Sequence, residues 1–123
     1  FSSEQLLHTG MGINVCAALS LVACAWTGLG GFPLLFGVLF LCLTTLGVVF
    51  PNATAIAMQP FAAEAGGASA LLGIFQFILG AAGGALVGVF HNGTALPMAV
   101  QIACYGLAAR GILFLAPKSP QAE

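Results

Sequence analysis

Few side chains in this sequence are equipped for chemistry. The formal charges are three carboxylates (Glu4, Glu64, Glu123) and two cations (Arg110, Lys118). Positions 5–63 and 65–109 carry none. The histidines, His8 and His91, fall at the edges of apolar runs and read as loop residues. The four cysteines (Cys16, Cys24, Cys42, Cys104) are scattered through such runs, without CxxC spacing or a histidine companion, and read as small core residues. No metal cluster, glycine-rich phosphate loop or nucleophile–base pair is present, so no catalytic residue, metal or cofactor is assigned. Proton-driven transport needs an ionisable group at membrane depth, and no acidic residue lies inside an apolar run. The polar groups left there are neutral: Asn14, Ser20, Thr44, Thr45, Asn52, Thr54, Gln76, Gln101 and Tyr105.

Such residues need elements to position them, and composition decides what kind. Charged residues make up 4% and hydrophobic residues 60% of 123 positions, against about 25% charged in an ordinary soluble domain. That leaves no material for a soluble surface. Disorder is excluded because disordered chains are poor in apolar residues. Nucleic-acid binding is excluded because two cations cannot neutralise a phosphate track. The remaining solvent is the lipid bilayer, which a helix crosses in about 20 apolar residues.

Glycine and proline punctuate four expected transmembrane helices in an all-α membrane protein. They run over about 11–29, 34–58, 69–90 and 95–115. A turn at Gly28, Gly30, Gly31 and Pro33 separates the first two. A loop over Pro60–Ala68 holds Glu64 and Gly66-Gly67. The turn His91-Asn92-Gly93-Thr94 precedes the last span, which Pro117 closes before a polar tail. Buried strands would be shorter, and barrel strands would alternate in polarity. Arg110 and Lys118 place the carboxyl end in the cytoplasm by the positive-inside rule. An even number of spans puts the amino end there too. The chain opens on Phe1 with no basic residue ahead of its first apolar run, so no signal peptide is visible and a processed chain or a piece of a longer one is expected.

Asn52 lies ~9 Å from the cytoplasmic end of the second span and Gln76 ~10 Å from the same side of the third, at 1.5 Å per residue. The short loop makes these spans expected antiparallel neighbours. An amide facing lipid is costly, so both face protein or water. They form an interhelical hydrogen bond or line a cavity; Thr45 is a further candidate for the cavity. Pro51 removes a backbone hydrogen bond deep in the second span and is a candidate hinge. Gly80, Gly84 and Gly88 repeat every four residues, with Gly73 on the neighbouring face, and are candidates for close helix packing.

Several of these residues stand in a familiar order. Pro51-Asn52-Ala53-Thr54-Ala55, Pro60-Phe61, Ala65-Gly66-Gly67-Ala68-Ser69-Ala70-Leu71-Leu72-Gly73, Gln76-Phe77 and Gly80-Ala81 closely resemble the carboxyl-terminal part of the Bcr/CflA drug-resistance transporters. These are bacterial drug:proton antiporters of the major facilitator superfamily. The turn at His91–Thr94 resembles that family's last outer loop, where aspartate is commoner than Asn92. The resemblance implies that residues 1–123 are a partial carboxyl-terminal transmembrane domain equivalent to helices nine to twelve. It implies an inner-membrane, multi-pass location. It also implies that helices earlier in the same polypeptide, a small-molecule drug and protons are partners beside the bilayer, with the coupling acid in the amino-terminal half. It moves Asn52 and Gln76 towards the cavity-lining role. Two other readings are open. A stand-alone four-helix small multidrug exporter needs a glutamate within its first helix. A non-transporting membrane subunit needs only the glycine face.

Overall fold

A computed structural model describes residues 2–116. Its elements are α1 (Ser3–Thr27), α2 (Gly31–Met58), a 3-10 turn (Gln59–Glu64), α3 (Ala65–Val89) and α4 (Leu96–Leu115). The described residues contain no strand. Three helical stretches are long and apolar enough to cross a membrane: Ser3–Thr27, Gly31–Val89 and Leu96–Leu115. Length and apolarity make this a multi-pass membrane protein. The middle stretch is α2, the 3-10 turn and α3 taken together. Its 59 residues would reach ~88 Å as one straight helix, well beyond one bilayer.

Helix α1 starts earlier than the expected position 11 because Ser2 and Gln5 form a capping box. The Ser2 hydroxyl accepts from the Gln5 backbone N–H, and the Gln5 side chain accepts from the Ser2 N–H. This puts His8 inside a helix rather than in a loop. The α1–α2 turn falls where the glycines predict it, with Gly28, Gly30 and Gly31 all at positive φ. Gly93 has φ +79° in the second turn.

The segment expected as a loop at Pro60–Ala68 is helical instead. Pro60 stands in the first turn of the 3-10 segment, where a missing N–H leaves no hydrogen bond unmade. The path departs from helical geometry at Phe61 (φ −108°, ψ 23°), and α3 starts at Ala65, before Gly66-Gly67. Turn-type composition marked this kink, where Phe61 and Glu64 (φ −124°, ψ 32°) both leave helical geometry and separate α2 from α3. Pro117, Lys118 and the rest of the tail lie outside the described residues.

The packed core is the α1–α2–α4 junction. Buried positions on α1 are Leu7, Gly10, Asn14, Ala17, Ala18 and Leu21, a single seam at helical spacing. It meets Cys42, Thr45 and Val49 of α2 and Ala99 and Ala103 of α4. Small residues let the backbones approach. A Cβ on Gly10 would stand 2.9 Å from Val49 Cγ2. Helix α3 has one buried residue, Gly83. Most other large apolar side chains face outward, Phe77 and Phe114 more than four-fifths exposed, as lipid-facing side chains must. Of the cysteines only Cys42 is buried; Cys16 and Cys104 are exposed, which corrects their reading as core residues.

Candidate functional site

Backbone groups in a helix are already paired, so the polar side chains decide what the interior can do. Asn14 is the buried hub. Its Nδ2 donates to Thr45 Oγ1 at 2.8 Å and to the Cys42 carbonyl at 3.1 Å. The Thr45 hydroxyl donates in turn to the Cys42 carbonyl at 2.8 Å. Asn14 Oδ1 lies 3.6 Å from where a Cβ on Gly106 would stand. One amide thus sits between all three packed helices. Thr45, a candidate for the cavity, is buried in this contact.

A second polar contact joins α3 to α4. Gln101 Nε2 donates to the Gly83 carbonyl at 2.8 Å. A Cβ at Gly83 would stand 2.8 Å from Gln101 Nε2 and 3.3 Å from the Tyr105 hydroxyl, so a side chain there would push the Gln101 amide off its hydrogen bond. Its neighbours differ. A Cβ built on Gly73, Gly80, Gly84 or Gly88 meets nothing within 4 Å. The four-residue glycine repeat therefore lies on an open face of α3, and the glycine that packs within the chain lies one position off it.

The third contact ties the ends. Arg110 on α4 donates from one guanidinium nitrogen to the His8 carbonyl of α1 at 2.7 Å. Gly12, one turn beyond His8, has its absent Cβ position 3.8 Å from that same nitrogen. The beginning of α1 and the end of α4 therefore lie together.

Asn52 and Gln76 are not hydrogen-bonded to each other. Asn52 Nδ2 donates back to the Val48 carbonyl of its own helix at 2.7 Å, and the Gln76 side chain is exposed. Helix α2 continues unbroken through Pro51. The Asn52 bond falls one residue past the carbonyl of Gly47, whose usual partner is the N–H that Pro51 lacks. Outward-facing hydroxyls solve the lipid problem the same way: Ser20, Thr27 and Thr44 each donate to the carbonyl four residues back. Asn14 and Gln101 carry the interhelical bonds that spacing alone did not single out. Their signal was present, since each is an amide within a run of small and apolar residues.

Comparison with known proteins adds one likeness. The chain is 30% identical over 118 residues to a bicyclomycin resistance protein homolog of Haemophilus influenzae. The match covers 95% of this chain and 29% of that relative's length. The chain thus spans less than a third of the relative. No family model matches, and no solved structure does. The likeness runs almost end to end through a chain of membrane-length helices.

Proposed function

We propose that this chain is part of a proton-coupled multidrug efflux transporter of the Bcr/CflA kind, in the major facilitator superfamily, exporting antibiotics or other small amphipathic compounds across the bacterial inner membrane. The observation that carries this reading is the likeness along 95% of the chain to a protein named for bicyclomycin resistance. The ordered residues from Pro51 to Ala81 support it independently. In this reading the four helices correspond to helices nine to twelve, both ends of the segment face the cytoplasm, and the rest of the polypeptide supplies the other helices and the proton-coupling acid. The Arg110–His8 contact supports a shared face for the two ends. Asn52 and Gln76 line the substrate cavity once those helices are in place, Pro51 is a hinge, and Gly73, Gly80, Gly84 and Gly88 receive a neighbouring helix. The open glycine face of α3 supports that last assignment.

The test is transport. The full-length polypeptide, expressed in an efflux-deficient bacterium, raises the inhibitory concentration of bicyclomycin, and a protonophore abolishes the gain. Unchanged drug sensitivity with protein present in the membrane refutes the reading.

A further inference from the structure

Arg110 carries a permanent positive charge inside the membrane-length helix α4, five residues before its end at Leu115. Its side chain is exposed. The partner it has among the described residues is neutral: one guanidinium nitrogen donates to the His8 carbonyl at 2.7 Å. The same nitrogen lies 3.8 Å from where a Cβ on Gly12 would stand, so the guanidinium rests against the α1 backbone. Glu4 stands one turn further towards the start of α1, and the guanidinium bonds the carbonyl rather than that carboxylate. A guanidinium offers about five N–H donors in a planar fork. The His8 bond uses one, which leaves the others, and the charge itself, for another group.

The level of this contact decides which group. His8 stands 19 residues before the end of α1 at Thr27, ~28 Å along the axis at about 1.5 Å per residue. The hydrocarbon core of a bilayer is about 30 Å thick. With the α1–α2 turn at one face of the membrane, the guanidinium stands at the opposite edge of the hydrocarbon layer, beside the lipid phosphates. A cation at that edge is costly without an anion. A carbonyl fixes its position but balances no charge. A phosphate balances the charge and accepts two N–H groups of the fork side by side. Leu107, one turn deeper on the same face of α4 and half-exposed, offers an apolar surface to the acyl chain beneath that phosphate.

We propose that Arg110, seated on the His8 carbonyl, binds the phosphate of an anionic phospholipid whose acyl chain lies along Leu107. The site is separate from Asn52 and Gln76, and lipid binding there does not depend on export.

The probe is phosphatidylglycerol, titrated into the purified full-length protein in a non-ionic detergent and read by native mass spectrometry. Phosphatidylcholine with the same acyl chains supplies a headgroup without net charge, and inorganic phosphate supplies the anion without a tail. Phosphatidylglycerol should bind Arg110→Gln about fivefold more weakly than the unsubstituted protein, the effect of one basic residue at an anionic surface. Arg110→Lys should keep part of that difference, and Glu4→Gln should not weaken binding. Leu107→Glu sets a carboxylate beside the guanidinium and should remove the same increment with Arg110 in place, which decides the matter if Arg110→Gln fails to fold. Helical circular dichroism establishes that each variant is folded. Unchanged phosphatidylglycerol affinity in Arg110→Gln or Leu107→Glu (as when another segment covers Arg110), or an equal loss of phosphatidylcholine, overturns the proposal. So does displacement of the lipid by equimolar inorganic phosphate, which would mark a site for a free anion.

Discussion

Asn14 is the residue on which the packed helices depend. Buried side-chain hydrogen bonds between membrane helices average about 0.6 kcal/mol and reach about 1.7. Asn14 makes two, so Asn14→Leu should lower resistance to denaturing detergent by about 1 kcal/mol. Thr45→Ala should cost less once Asn14 is already Leu, and an additive double mutant would show that the two side chains do not act together. Asn52 and Gln76 present the opposite case. Neither bonds across helices, so Asn52→Leu and Gln76→Leu should change drug export more than membrane insertion. Loss of stability with export intact would reassign them to packing. The sequence already marked both by depth and cost. It did not rank Asn14 above them, because the distinction lies in which face of α1 meets α2.

At the scale of elements, small residues set the distances. Gly10→Leu drives a side chain into Val49 and should destabilise the α1–α2 pair by about 1–3 kcal/mol, the usual range for overpacking. Pairing it with Val49→Ala should recover part of that loss. On α3 the contrast is internal. Gly83→Leu should disrupt the α3–α4 contact at Gln101 and Tyr105, whereas Gly84→Leu leaves that contact whole. Thermal unfolding of the two variants side by side measures the difference. Much of this was legible: the helical class followed from run length, and both glycine turns from composition. Two features were not. The start of α1 depended on a polar capping box outside the apolar run. The helicity of Gln59–Glu64 depended on Pro60 falling in a first turn, where proline is harmless. A repeat of glycines shows that a helix can be approached closely, but not from which side.

For the whole molecule, the proposed transporter requires more chain than these 123 residues. Cells expressing this segment alone should show no gain in drug resistance and no drug-stimulated proton movement; resistance from the segment by itself would refute that expectation. Topology gives a second check. With the ends of α1 and α4 joined through His8 and Arg110, cysteines placed by Ser2→Cys and Ala116→Cys should react with a membrane-impermeant reagent from the same side of the membrane. Labelling from opposite sides would be incompatible with that contact.

The His8–Arg110 bond spans 102 positions, and this separation sets a timetable for assembly. At about 5–20 residues per second of synthesis, α1 waits roughly 5–20 s for the end of α4 to be made. Asn14 does not spend that time unpaired, since Thr45 follows it by only 31 positions. The costly amide is matched early by the second helix, while the contact that joins first helix to last is among the last to form.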